Sequence, residues 1–343
     1  MNIRGLAQHL NVSIGTVSRA LNDAPEVGEA TRRRVIEAAT QLGYTPNQSG
    51  RSLRRGRTGA IAFMLPVTGE SGAYGDPFFL SVIGGLQRHL ESAGYELIVL
   101  PVRQDQDALE HLRRSLGRGI ADAWLLAEIK RRDERVELLS ARNLPFVALG
   151  RTADPSGYSW LDLDFEQMIR AAMTRLLDHG HCRIALITPG LDVNFSSIVI
   201  ETYQEVLKAA GLPSDDRLIY VGDIDPTACA AATNAFLEFD DPPTAVFVMS
   251  ENGPVGVFAA LRARGLRPGR DVAVIGSRDT PACMALDPPL TCFSMDLQAL
   301  GTALGAMLID VIADGRMQAC PASLLWPFRL RSGESDVAAR SRQ

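Results

Sequence analysis

At 343 residues, 46% hydrophobic and 22% charged, the chain has the composition of a soluble globular protein and is too long for one ordinary core, which suits two or three domains. No apolar run approaches the ~18–20 residues of a membrane span; the N-terminal MNIRGLAQHLNV is amphipathic and lacks the apolar centre of a signal peptide, so the cytoplasm is expected and a membrane partner is not. The formal net charge of −5 is uneven: residues 1–57 carry nine arginines against four acidic residues, a local +5 that leaves −10 on the remainder.

A basic head on an acidic body fits phosphate contact at one end only. A disordered basic tail would lack apolar periodicity, and this head has it. Ile3, Leu6, Ala7 and Leu10 recur at helical spacing and give a first helix one apolar face. Asn11-Val12-Ser13 interrupts it, because Asn tolerates the left-handed backbone of a tight turn and Ser13 is a good N-cap for a next helix. Within NVSIGTVSRALN (11–22), a second short helix is expected to turn Val17 and Leu21 inward and Ile14, Gly15, Thr16, Ser18 and Arg19 outward. That pattern suits a recognition helix whose N-terminal residues reach base edges in the major groove. Arg19 is suited to bidentate pairing with guanine and Ile14 to a thymine methyl. Thr16 and Ser18 suit phosphate or local capping, and Gly15 suits close backbone approach. A three-helix domain that binds protein is the plainer alternative. TRRRVIEAATQLGYTPN (31–47) predicts a third helix burying Val35, Ile36, Ala39 and Leu42, with Gly28 as a weak N-cap, Gly43 as the C-terminal cap and Pro46 as the stop. SGRSLRRGRTG (49–59) is a basic connector.

The four segments VSIGTVSRALN, VGEATRRRV, LGYTPN and SGRSL, at this spacing, resemble the LacI/GalR family of bacterial repressors. The family pattern is roughly VSxxTVSRxLN, V-S-x-x-T-R-x-R-V, LGYxPN and a hinge ending A-R-S-L. The resemblance extends over nearly the whole chain. It implies a helix-turn-helix DNA-binding domain at 1–46, a hinge at 47–58, an effector-binding and dimerisation body at 59–334 and a tail at 335–343. The family hinge is implied to become helical only on double-stranded operator DNA, two hinges lying in the minor groove of one palindrome, so a homodimer is expected. On that basis Asn47, Arg51, Leu53, Arg54 and Arg55 join the DNA-binding set: the arginines contact phosphate, and Leu53 wedges between base pairs and kinks the duplex. Gly50 replaces the usual Ala, which costs a helix about 0.5–1 kcal/mol. A flexible linker without groove contact is the alternative.

From residue 59 short apolar runs alternate with amphipathic stretches. Strands are expected at 60–65, 96–101, 123–127, 146–150, 183–188, 218–222, 245–250 and 272–277, with helices between them. Such alternation predicts an α/β body of parallel sheet covered on both faces, and the polar stretch 151–159 is a candidate crossing between halves. The resemblance implies two periplasmic-binding-protein-like lobes, an N-lobe at about 59–161 plus 290–318 and a C-lobe at about 162–289 plus 319–334. Ligands of such sheets bind at the carboxyl ends of strands, here between the lobes. The final DVAARSRQ has no heptad repeat, so a tetramerising coiled coil is not expected.

GAYGDPFFLSVIGGL (72–86) is similar to the family's N-P-F-F loop and offers Tyr74, Asp76, Phe78 and Phe79 as effector contacts, with core packing expected of at least one phenylalanine. Arg151 matches the family Arg after the fourth strand, and Trp160 in YSWLDLD is a second stacking platform. YSWLD is similar to regulators of α-glucoside use. Three positions depart from the family: Val199 where Arg is common, Ser250-Glu251 for Asn-Asp, and Arg278 of Gly276-Ser277-Arg278-Asp279 where a sugar-binding Asp is usual. Two hydroxyl-binding groups are thus lost and a cation gained. The expected effector is therefore a sugar with an acidic or phosphate group, or a larger oligosaccharide held mainly by the N-lobe, contacting Val199, Ser250, Arg278 and Asp279 among others.

No P-loop, no GxGxxG after a strand and no G-x-S-x-G elbow is present, so neither an enzyme nor a cofactor is expected. Cys182, Cys229, Cys283, Cys292 and Cys320 form no CxxC pair and read as buried thiols. DHGHCRIA sets His179 and His181 near Cys182, but the family has an L-G-H turn here, which argues against a metal. The leading expectation is a ligand-controlled transcriptional regulator, a repressor of carbohydrate genes. The competing one, a transport-type sugar-binding protein, calls for a signal peptide and no DNA head.

Overall fold

The structure, a computed structural model, describes residues 1–21, 24–44, 57–67, 77–103, 105–190, 193–314 and 321–338. It divides into two compact units at Gly59–Ala60.

The first unit packs three helices, α1 (Ile3–Leu10), α2 (Ile14–Leu21) and α3 (Glu29–Gln41). Asn2 caps α1 by accepting from the Gly5 N–H, and Asn11 ends it in the left-handed region at φ 53°. Ser13 then starts α2, its hydroxyl accepting from the Thr16 N–H at 3.0 Å. Leu6, Ala7, Val17, Ala20, Val27, Val35, Ala38 and Ala39 form the core. Two expected core residues are corrected: Ile36 is 48% exposed, and Leu42 is also exposed, while Ala38 takes the inner place. The buried positions 35, 38 and 39 follow the i, i+3, i+4 stripe, and Ile36, one step on, is turned ~100° away. Leu42 lies at the C-cap, beyond the last full turn. Gly43 closes the helix at φ 60°, and the Tyr44 N–H reaches back to the Ala39 carbonyl at 2.8 Å, the hydrogen bond of a Schellman ending.

The second unit has two parallel sheets. The N-lobe sheet joins β1 (Ala60–Val67), β2 (Glu96–Arg103), β3 (Ala123–Leu126), β4 (Phe146–Leu149), β5 (Ser159–Leu163) and β11 (Ser323–Trp326) in the order β11-β5-β4-β3-β1-β2. The C-lobe sheet joins β6 (Ile184–Thr188), β7 (Ile219–Val221), β8 (Ala245–Val248) and β9 (Ala273–Gly276) in the order β7-β6-β8-β9. A third, antiparallel pair joins β10 (Cys292–Ser294) and β12 (Arg329–Arg331).

All eight expected strands are present. Most of β3, β4, β6, β8 and β9 is buried, as a sheet covered on both faces requires. Helix α4 (Pro77–Ser92) follows β1 and packs against α12 (Leu297–Ala313), where any Cβ on Gly85 or Gly301 would lie about 2 Å from a backbone oxygen of the facing helix. These two glycines allow the helices to touch backbone to backbone.

Three boundaries are corrected. The segment 159–163 is a strand of the N-lobe sheet, so the chain leaves that lobe after β5 and not within it. β11 pairs in parallel with β5, which places 323–326 in the N-lobe sheet. The tail does not begin at 335: Ser335 and Asp336 are buried and stitched into the C-lobe. Ser335 Oγ donates to the Val274 carbonyl, and the Asp336 carboxylate takes the Thr291 hydroxyl and pairs with Arg175.

Candidate functional site

In the first unit, Ile14, Gly15 and Arg19 are exposed on α2, and Thr16 is half-buried with its hydroxyl 2.8 Å from that of Ser13. Ser18 is corrected: it is only 9% exposed, so it does not offer the open surface that Arg19 does. At ~100° per residue Ser18 falls on the same side of the helix as Ile14, one turn away, so its burial comes from the packing around it and not from the helical period. Arg32 also has a local role, its guanidinium donating to the Ala24 carbonyl at 3.0 Å, across the turn before α3. Asn47, Arg51, Leu53, Arg54 and Arg55 lie outside the described residues, as do Tyr74 and Asp76.

In the second unit, the cleft-facing ends of both sheets gather two charged clusters. The first surrounds Arg151, just after β4. Its guanidinium pairs with Glu166, lies 3.6 Å from Asp162 and stacks over the Trp160 ring at 5.4 Å. Asp162 is almost wholly buried, and burial pushes its carboxyl up to about 7 against the opposing pull of Arg151. Helix α7 (Phe165–Asp178), which follows β5, contributes Glu166. The second cluster surrounds Arg278, after β9. Arg278 pairs with Glu251, after β8, and its guanidinium carbon lies 5.0 Å from the centre of the Phe78 ring, at the start of α4 in the other lobe. Arg278 is therefore not the bare cation expected from sequence: it is already paired with Glu251.

Other expected contacts are redistributed. Phe79 is a core residue, edge-on to Phe63 at 5.9 Å and to Phe78 at 5.1 Å. Val199 is fully buried on α8 (Asn194–Ala209) and belongs to the hydrophobic core. This corrects its place in the effector set, because an aliphatic side chain on the packed face of a helix has no cleft surface to offer. Ser250 is corrected too: its hydroxyl donates to the Ile224 carbonyl at 2.6 Å and accepts from the Gly253 N–H at 2.9 Å, so it caps α10 (Gly253–Ala263). Asp279 is half-buried beside Arg278, its N–H donating to the Phe293 carbonyl at 3.1 Å.

Residues that sequence reasoning missed stand at the carboxyl end of β6 and the start of α8. Thr188 Oγ1, Asn194 Oδ1 and Ser196 Oγ are buried side-chain atoms without a hydrogen-bond partner, and Glu166 Oε2 is another. Asn194 also joins the lobes: its N–H donates to the Ile129 carbonyl at 2.8 Å and its Nδ2 to the Arg151 carbonyl at 2.9 Å. Small polar residues opening a helix straight after a buried strand (NFSS) are the signal that would have found them.

The histidines serve the fold. His181 bonds Thr244 Oγ1 and the Val337 carbonyl, each at 2.9 Å, and His179 bonds the Asp336 carbonyl. Among the described residues, no group of three His, Cys, Asp or Glu side chains is placed to hold a metal. Burial pushes the Cys229 and Cys292 thiols up to about 12 and raises that of Cys283. Among the described residues no helix is long and apolar enough to cross a membrane.

Residues 2–47 match the model for bacterial regulatory proteins of the lacI family, and residues 173–335 match that for periplasmic binding protein-like domains. The HTH-type transcriptional regulator AglR of Rhizobium meliloti (strain 1021) is 31% identical, covering 91% of this chain and 88% of its own length. The chain belongs to the LacI family. The HTH-type transcriptional regulator CelR of Thermobifida fusca is also 31% identical, over 88% of each chain. A solved CelR–cellobiose complex superposes with a TM-score of 0.74 at 28% identity, covering 98% of this chain and 99% of that one. The lac repressor dimer bound to operator and an anti-inducer superposes at 0.86 over 98% of this chain and 99% of that one; at 21% identity this shows the fold alone. As a LacI-family member, the chain is a ligand-controlled DNA-binding transcriptional regulator and not a transport protein.

Proposed function

We propose that this regulator represses a carbohydrate gene cluster, and that a glycoside of about disaccharide size, held between the lobes, sets its grip on a palindromic operator. The observation that carries the reading is the set of buried, unpartnered polar atoms of Thr188, at the carboxyl end of β6, and of Asn194 and Ser196, at the start of α8. Each such atom costs ~1–3 kcal/mol when left unsatisfied. Sugar hydroxyls, which both donate and accept, suit those of them that a ligand reaches. Phe78 and Trp160 supply aromatic surface, Arg151 and Asp279 supply polar contacts, and Tyr74 and Asp76 belong to the same set. The cellobiose in the CelR complex supports a disaccharide as the size class.

On DNA, Ile14, Gly15, Thr16 and Arg19 read base edges. Leu53 wedges the central step between arginine–phosphate contacts of Arg51, Arg54 and Arg55, and Asn47 supports the hinge. The regulator works as a homodimer in the cytoplasm, with no catalytic step and no cofactor. A thermal-shift screen of neutral mono- and oligosaccharides on the full chain identifies the effector, because a ligand of the folded state stabilises it by mass action. Titrating that effector into an operator gel shift should change affinity about tenfold or more. An operator affinity that stays constant through saturation of the cleft would refute the reading.

A further inference from the structure

The pairing of Arg278 with Glu251 bears on which sugars the cleft accepts. β8 and β9 are neighbours, with Val248 opposite Gly276, so the loops that carry Glu251 and Arg278 leave the sheet side by side. Both side chains are largely withdrawn from solvent, at 14% exposure for Arg278 and 26% for Glu251. The Glu251 loop is anchored from below: its carbonyl accepts from Thr280 Oγ1 at 3.1 Å and from Cys283 Sγ at 3.0 Å. The guanidinium spans the cleft to the Phe78 ring, so the pair stands where a ligand between the lobes must pass or rest.

We propose that Glu251 and Arg278 act as one selectivity element: a neutralised pair over Phe78 that admits uncharged glycosides and rejects their acid counterparts. A sugar carboxylate or phosphate seeking Arg278 would either displace Glu251 or sit beside it. Displacement breaks the Arg278–Glu251 ion pair in a poorly solvated place, and sitting beside it sets like charges together in a region of low dielectric. Asp279 lies next in the chain and adds to the unfavourable field. Arg151 gives no escape either, because it already faces Glu166 and Asp162. A hydroxyl meets no such cost: it donates to Glu251 or accepts from the remaining guanidinium N–H groups while the pair stays intact. The two family departures at 251 and 278 thus work together, each making the other tolerable.

This inference rests on the glycoside reading above, and the experiment separates the two. Full-length wild type and Glu251→Gln are compared by thermal shift and calorimetry with cellobiose and maltose and with their C6-uronate counterparts, which change only a hydroxymethyl group to a carboxylate. Wild type should bind a uronate about 10- to 100-fold more weakly than its neutral parent. Glu251→Gln, whose Arg278 lacks its counter-charge, should gain uronate binding by a similar factor. That gain is scored against wild type whether or not a neutral disaccharide binds; the absence of any neutral binder would count against the glycoside reading alone. A Glu251→Gln protein with no added uronate response overturns the selectivity element, as does a wild type that binds acid and neutral forms alike. If Glu251→Gln fails to fold, Arg278→Gln takes its place: with Glu251 left in the cleft, the uronate must stay excluded, and its admission overturns the proposal.

Discussion

Helix α2 of the head and the strand ends of the body both present arginines, but in opposite electrical states. Arg19 stands exposed on α2, and among the described residues no carboxylate pairs with it. Arg151 and Arg278 in the body are each largely buried and each tied to acids, Glu166 and Asp162 for one and Glu251 for the other. An uncommitted guanidinium is ready for phosphate or a guanine edge, whereas a committed one holds its place and offers little net charge to a ligand. The contrast divides the labour: charge is left available where the partner is a polyanion and is cancelled where the partner is a small molecule.

The largest expected effect tests the uncommitted side. Arg19→Ala should weaken operator binding by about 1–3 kcal/mol, roughly 5- to 150-fold, and leave binding to random DNA of the same length nearly unchanged. Competition gel shifts read the ratio directly. Equal losses on both DNAs would make Arg19 a phosphate contact and remove half of the contrast. Leu53→Ala should behave in the same direction, because a wedge contributes only where the duplex is kinked. Salt titration does not separate these cases, since both forms of binding fall steeply with ionic strength.

Legibility in the amino-acid sequence divides along the same line. Helix capping and strand burial are local rules, so Ser13, Gly43 and all eight apolar strands were legible. β5 was not, because SWLDL carries a buried carboxylate amid its apolar positions, and β11 was not, because its exposed SLLW is a short edge strand placed by partners far away in sequence. The cleft was only half legible. Phe78, Arg151 and Arg278 were found by position, but the acids that neutralise the arginines come from other elements, and pairings set by topology leave no periodic trace. Ser250 and Val199 were misassigned for the same reason: one became a helix cap and the other core, outcomes decided by which side of the strand or helix faces the packed interior.

A smaller effect tests the committed side. Asp162 holds its proton to about 7, against an ordinary value of 3.8, because burial outweighs the attraction of Arg151 and the nearby Glu166 and Asp164 oppose ionisation. The folded state therefore binds more protons than the unfolded one between those two values. Stability contributed by this group is fully present below about 4 and declines as pH rises toward 7. Asp162→Asn mimics the protonated acid and leaves Arg151 paired with Glu166. It should raise the melting temperature at pH 8 by about 2–4 °C, the shift that ~1 kcal/mol produces in a unit of this size, with a smaller change at pH 5. A loss at pH 8 exceeding that at pH 5 would mean that the Arg151–Asp162 attraction wins over desolvation, and Asp162 would then be a standing anion of the cleft.

The smallest effect returns to the head and asks whether its exposed apolar residue belongs to the fold. Ile36 projects from α3 at 48% exposure, while its neighbour Val35 is buried against α1 and α2. Ile36→Ser should change the unfolding free energy of the head by no more than about 0.5 kcal/mol, as is usual for a surface site. Val35→Ser should lose several times more, because it both empties core volume and buries a hydroxyl. Chemical denaturation of the full chain, followed by a probe in the head, separates the two. If Ile36→Ser instead cost as much as Val35→Ser, then Ile36 would be covered in solution, and the α3 face would have to be an interface and not a free surface.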